Sequence, residues 1–149
     1  MATDTSTTMT DQLPQRLTRG ALAGLIGGLV FGMMMTMMGM IGMVGALAGQ
    51  PGNAVVGWGL HLIISAVIGA GFGLLAPALG DATGKLLAGG LVYGLVWWFL
   101  GPLLIMPTMM GMGPQLSAAG MSAAMSSLWG HLIYGAVTAL AWGWLARRD

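Results

Sequence analysis

Two histidines, His61 and His131, are the only side chains in the long apolar stretches of this chain that can gain a charge near neutral pH. An ionisable group in an apolar segment is a functional candidate by default, because burial without a partner is costly. Three chemistries suit the pair. Each neutral imidazole can hydrogen-bond across a helix bundle to a backbone carbonyl, Ser65 or Ser127, and serve packing alone. The pair can instead ligate haem b or copper, since imidazole suits copper, zinc and iron. Finally, the pair can titrate and so sense or gate protons.

Methionine bears on the second chemistry. Most of the 15 methionines fall in two groups. One comprises Met33, Met34, Met35, Met37, Met38, Met40 and Met43; the other comprises Met106, Met109, Met110, Met112, Met121 and Met125. Thioethers are soft ligands that favour Cu(I). Met34 with Met38, and Met121 with Met125, are spaced to share one helix face, so these four join His61 and His131 as candidate metal ligands. Methionine is equally a flexible apolar filler. A run as dense as MMMTMMGMIGM points side chains all round a helix, so most of its methionines cannot be ligands.

The elements that must position these residues follow from charge. No Asp, Glu, Lys or Arg lies between Arg19 and Asp81, or between Lys85 and Arg147. A bilayer-crossing helix needs about 20 apolar residues, so each block is long enough for two crossings and a tight turn. The turns fall at GQPGN, from Gly49 to Asn53, and at GMGPQ, from Gly111 to Gln115. The chain therefore reads as an all-α integral membrane protein of four transmembrane helices, at 20–47, 54–79, 85–107 and 118–146. Pro102 and Pro107 should kink or end the third helix. Residues 1–15, rich in Thr, Ser and Asp, read as a disordered cytoplasmic tail; residues 16–80 form the first hairpin and 81–149 the second.

The hairpins resemble one another. HLIISAVIGAGFGLL from His61 aligns without gaps with HLIYGAVTALAWGWL from His131, and GGLVFG at Gly27 echoes GGLVYG at Gly89. Two helices per copy give parallel repeats related by an axis along the membrane normal, and hence a pseudo-twofold bundle that brings His61 and His131 towards each other. Small residues recur every fourth position. The second helix carries Gly57, Ser65, Gly69 and Gly73 in line with His61; the fourth carries Ser127, Gly135, Ala139 and Gly143 in line with His131; the first carries Gly20, Gly24, Gly28 and Gly32. Such stripes let helix backbones approach closely in lipid and are read as packing faces. Trp58, Trp129, Trp142 and Trp144 suit the aromatic belts at the two interfaces. Trp97 and Trp98 lie deeper, where they fill the bundle or flank a ligand.

Arg16, Arg19, Lys85, Arg147 and Arg148 all fall on the side of the termini and central loop, which makes that side cytoplasmic. A net charge of +1 excludes a nucleic-acid footprint, and the absence of cysteine excludes disulfides and thiolate metal sites. No carboxylate, lysine or cysteine lies in the spans, so there is no base, nucleophile and orienter set, and an enzyme is not expected. The small-residue faces suit a homodimer, or an accessory subunit of a larger membrane complex, as well as internal packing.

GWGLHLIISAVIGAGFGLLAP, LLAGG, GPLLIMPTMMGM and LWGHLIYG together resemble the second, third and fourth helices of YagU-like inner-membrane proteins, a family of unknown function. The likeness covers roughly residues 56–148 and rests on His61, Ser65, Pro107, Met110, Gly111, Gly130, His131 and Leu132. It implies a bacterial inner-membrane location and a loose association with acid tolerance. It implies no substrate or catalytic residue.

Overall fold

Every regular element among the residues described by the computed structural model, whose backbone covers 5–148 and whose side chains cover 12–148, is helical. Helix α1 spans Thr5–Met37, α2 Ile41–Gly45, α3 Ala54–Leu79, α4 Thr83–Trp98, α5 Met106–Met109 and α6 Ala118–Ala146. A single 3-10 turn, Ala46–Ala48, follows α2, and a π-helical stretch, Phe99–Ile105, joins α4 to α5. Among the described residues three stretches are long and apolar enough to cross a membrane: Gln12–Met37, Ala54–Leu79 and Thr83–Met109.

Helices α3 and α6 start where side chains can satisfy their first amides. Asn53 Oδ1 accepts from the Val55 and Val56 amides at 3.1 and 3.2 Å, and Ser117 Oγ accepts from the Gly120 amide at 3.1 Å. The first helix departs from expectation at both ends. It extends back to Thr5, so residues 5–15 are helical where a disordered tail is expected; residues 1–4 lie outside the described residues. A helix already nucleated by packing lengthens at the gain of one hydrogen bond per residue fixed, which favours this extension. At its other end α1 stops at Met37 instead of continuing to 47.

The stop is made by Gly39, which takes φ +69°. Its amide donates to the Thr36 carbonyl at 3.0 Å, and the Met40 amide donates to the Met35 carbonyl at 2.7 Å, a Schellman closure that only glycine enters without strain. The chain then folds over the start of α3: Ile41 and Val44 are buried, and a Cβ at Gly57 would strike the Ile41 carbonyl. The pentapeptide TMMGM occurs twice, at 36–40 and 108–112. Its second copy closes α5 in the same way. Gly111 has φ +79°, its amide donates to the Thr108 carbonyl at 3.0 Å, and the Met112 amide donates to the Pro107 carbonyl at 2.9 Å.

Pro102 loosens the third apolar helix but does not break it. Proline brings no amide to the helical ladder, and here the backbone widens to π geometry around it. Two bonds hold the widened stretch. Buried Trp98 donates Nε1–H to the Ala124 carbonyl at 2.9 Å, and the Gln115 amide donates to the Leu103 carbonyl at 2.7 Å. Trp98 thus fills the bundle, packed with Leu103, Ala124 and Leu128.

The helices pack in the order α3, α1, α6, α4. Within the first hairpin, backbones touch: a Cβ at Gly24 would strike the Ser65 carbonyl, and one at Gly69 the Gly20 carbonyl. Within the second, a Cβ at Gly90 would strike the Gly135 carbonyl, and one at Gly94 the His131 carbonyl. Between hairpins, α1 lies along α6, whereas α3 and α4 meet chiefly at Tyr93, whose hydroxyl donates to the Ile68 carbonyl at 2.7 Å. The seams between the hairpins are therefore unequal. Trp142 belongs to the core with Ala23, Phe72, Ala76, Leu86 and Ala139, rather than to an interfacial belt. Its indole fills the space left by the glycine at Gly73, as a Cβ there would lie 3.1 Å from the ring.

Candidate functional site

His61 on α3 and His131 on α6 share one neighbour, Phe31 of α1. The Phe31 ring meets His61 edge-on at 5.4 Å between centroids and His131 at 4.8 Å. Phe31 fits there because its ring lies against Gly130, where any Cβ would overlap it. Gly32 does the same for the opposite wall: a Cβ would lie 3.0 Å from His61 Cδ2 and would also crowd the Trp58 ring, which stands 6.2 Å from the imidazole. The small residues beside the histidines thus make room for aromatic rings.

Each imidazole is held by one backbone carbonyl. His61 Nε2 donates to the Gly28 carbonyl on the neighbouring helix at 2.9 Å, whereas His131 Nδ1 donates to the Ser127 carbonyl of its own helix at 2.8 Å. A carbonyl only accepts, so the bonded nitrogen carries the hydrogen and the tautomers are assigned by these partners. In the neutral rings the remaining lone pair is on Nδ1 of His61 and on Nε2 of His131. The latter atom points at the π-helical stretch, 3.8 Å from where a Cβ would stand on Gly101. Below His61, the Ser65 carbonyl accepts the Tyr134 hydroxyl at 2.7 Å, tying α3 to α6.

This geometry fits packing better than ligation by both rings. The lone pairs belong to opposite ring atoms, and Phe31 occupies the space beside both imidazoles. Met38, Met121 and Met125 are 49%, 40% and 48% exposed, and Met34 is half-buried, so these methionines stand at the surface rather than round His61, which is 7% exposed. Among the described residues no three or more His, Cys, Asp or Glu form a group able to hold a metal. The expected packing residues Gly24, Gly28, Gly32, Gly57, Ser65, Gly69, Gly73, Gly135, Ala139 and Gly143 are all buried.

Phe31, Tyr93 and Tyr134 organise the site without having been singled out by sequence reasoning. A signal for the first two existed, since GGLVFG and GGLVYG place Phe31 and Tyr93 at matching positions. Among the described residues the fold and site define a helical protein with three helices suited to a membrane and a histidine–phenylalanine–histidine cluster linking its hairpins. Comparison with protein-family models, with curated proteins and with solved structures finds no match.

Proposed function

We propose that the chain is a non-enzymatic multi-pass protein of the bacterial inner membrane that responds to acid through His61, Phe31 and His131. In this reading four helices cross the bilayer as two parallel copies of a hairpin, with both termini cytoplasmic. The fourth crossing is α6, whose 29 residues span about 40 Å at helical rise. Its Tyr134 and Thr138 are buried, which leaves a more apolar surface than its composition suggests.

The observation that carries the reading is the shared phenyl ring. Phe31 joins two imidazoles on different helices, and each has one nitrogen committed to a carbonyl. Protonating the other nitrogen creates a cation in an apolar bundle, where an unpaired charge is costly. Aromatic and backbone groups surround the pair: Trp58, Phe31 and the Gly28 carbonyl at His61, and Ser127, Gly130 and Gly101 at His131. With no carboxylate or basic side chain among these neighbours, the cation finds relief only by moving the helices or admitting water. The resemblance to YagU-like proteins, with their association with acid tolerance, agrees with this reading.

Haem b or copper(I) held by both histidines is the weaker reading, because it requires Phe31 to leave the space beside the rings. The test is a pH titration of tryptophan emission in reconstituted protein, with Trp58 as the reporter beside His61. Wild type should show a transition as the pH is lowered, and His61→Gln with His131→Gln should abolish it while leaving helicity intact. A double variant that titrates like wild type would sink the proposal.

A further inference from the structure

The repeated pentapeptide TMMGM does more than end two helices. Its two copies meet at the end of the bundle that holds the Gly49–Asn53 turn, where Thr36 and Gly39 of the first copy and Met110 of the second line one cleft of about 420 Å³. Met43, carried on α2, lines it as well. The Schellman closures put these residues there. Gly39 turns the chain back so that α2 brings Met43 to the cleft, and Gly111 ends α5 directly after Met110.

The donor set of this cleft is unusual. Three of its oxygens are already engaged: Thr36 Oγ1 donates to the Gly32 carbonyl at 2.8 Å, the Thr36 carbonyl accepts from the Gly39 amide at 3.0 Å, and the Gly42 carbonyl accepts from the Gly52 amide at 3.1 Å. No imidazole, carboxylate or amine lines it. The thioethers of Met43 and Met110 are its soft donors, from different hairpins and with flexible ends, since the two side chains are 54% and 41% exposed. Hard cations such as Mg²⁺ and Ca²⁺ need oxygen ligands, whereas a thioether pair is matched to a soft monovalent ion.

We infer that this cleft is a thioether site for Cu(I) or the chemically similar Ag(I), with Met43 and Met110 as its protein ligands. The site is separate from the histidine cluster and does not use Met34, Met38, Met121 or Met125. Bound ion bridges the two hairpins at the end where the cleft opens.

The test uses Ag(I), which binds as Cu(I) does without redox chemistry. Full-length protein in detergent is titrated with Ag(I) and bound ion counted by mass spectrometry, with helicity checked by circular dichroism. Wild type and Met121→Leu/Met125→Leu should each bind one ion, and Met43→Leu/Met110→Leu should bind at least about tenfold more weakly. Failure of wild type to bind one ion, or undiminished binding by Met43→Leu/Met110→Leu, overturns the site. A second measurement needs no variant. Ag(I) should protect Met43 and Met110 of wild type from peroxide oxidation more than Met121 and Met125, and equal protection at all four overturns it too.

Discussion

The two hairpins share a register of close glycine contacts but not a pattern of polar bonds. Gly28 packs on Ser65 in the first as Gly90 packs on Gly135 in the second, and Gly32 approaches His61 as Gly94 approaches His131. In the first hairpin these contacts are to side chains, the Ser65 hydroxyl, the Trp58 ring and His61 Cδ2, whereas in the second they are to the Gly135 and His131 carbonyls. The polar bonds diverge. His61 reaches across to Gly28 on α1, but His131 bonds within α6, and Phe31 lies between α1 and the histidines where its counterpart Tyr93 sends a hydroxyl to Ile68. A hydroxyl in an apolar bundle must find an acceptor, and a phenyl ring need not. The change from Phe to Tyr thus accompanies a different seam: Phe31 packs against Gly130 and His131, near the start of α6's buried face, whereas Tyr93 meets α3 at Ile68, Gly71 and Phe72, well past His61.

The strongest way to break this comparison is to overfill one close backbone contact in each hairpin. Gly24→Leu would drive a side chain into the Ser65 carbonyl, and Gly90→Leu into the Gly135 carbonyl. Backbone cannot yield as a side-chain end can, so each should cost at least about 3 kcal/mol and remove cooperative unfolding in mixed detergent followed by circular dichroism. Gly59→Ala serves as control, because nothing lies within 4 Å of a Cβ there. Equal damage in both hairpins would show that each rests on a backbone contact; tolerance of Gly90→Leu alone would show that the second is packed more loosely.

A smaller effect sharpens the difference between the two first helices. Trp98→Phe removes the bond to the Ala124 carbonyl and opens space beside Leu103, so it should cost about 1–3 kcal/mol, read as an earlier unfolding midpoint. Thr36 stands at the matching place in the first hairpin, by the same alignment that pairs Phe31 with Tyr93. Its hydroxyl bonds within its own helix to Gly32, and the side chain is exposed, so Thr36→Val should change stability by less than about 0.5 kcal/mol. A large effect at Thr36 would mean that the two helix ends are fastened alike.

Legibility in the sequence follows the same division. Helices α3 and α6 have the bounds read from the turns and charges, because Asn53 and Ser117 are local caps and the small residues that follow keep one period. The end of α1 was hidden by composition: Gly39 sits in a run of methionines with no proline or polar cluster beside it, and only the recurrence of TMMGM at Thr108 marks it as a stop. The π-helical stretch was half legible. Pro102 announces irregular backbone, but that the chain widens rather than breaks depends on Trp98 and Gln115 finding carbonyls on partners distant in sequence. The histidines stand out as the only imidazoles, yet their relation runs through Phe31, an apolar residue whose type says nothing until Gly130 is seen beneath it. Trp142 misled for a related reason: its position near a helix end suggests an interface, and only the glycine at Gly73 opposite reveals a core site.

The least expected effect comes from Thr138, which aligns with Ile68 of the first hairpin. Thr138 is fully buried, its Oγ1 stands by the Tyr134 hydroxyl without a well-aligned bond, and it faces Gly27 so closely that a Cβ there would strike it. Burying a hydroxyl unsatisfied is unfavourable, so a valine of the same shape should be neutral or stabilise by up to about 1 kcal/mol. Isoleucine, the residue of the first hairpin, carries an additional methylene into the α1–α6 seam and should destabilise by about 1–3 kcal/mol. Opposite signs for Thr138→Val and Thr138→Ile in the same unfolding assay would show that this seam selects for volume, which is why the second hairpin departs from the first at this position. Were valine to destabilise as much as isoleucine, the hydroxyl would have to be satisfied by a bond to its own helix or to water, and the departure would then be a polar one like that of Tyr93.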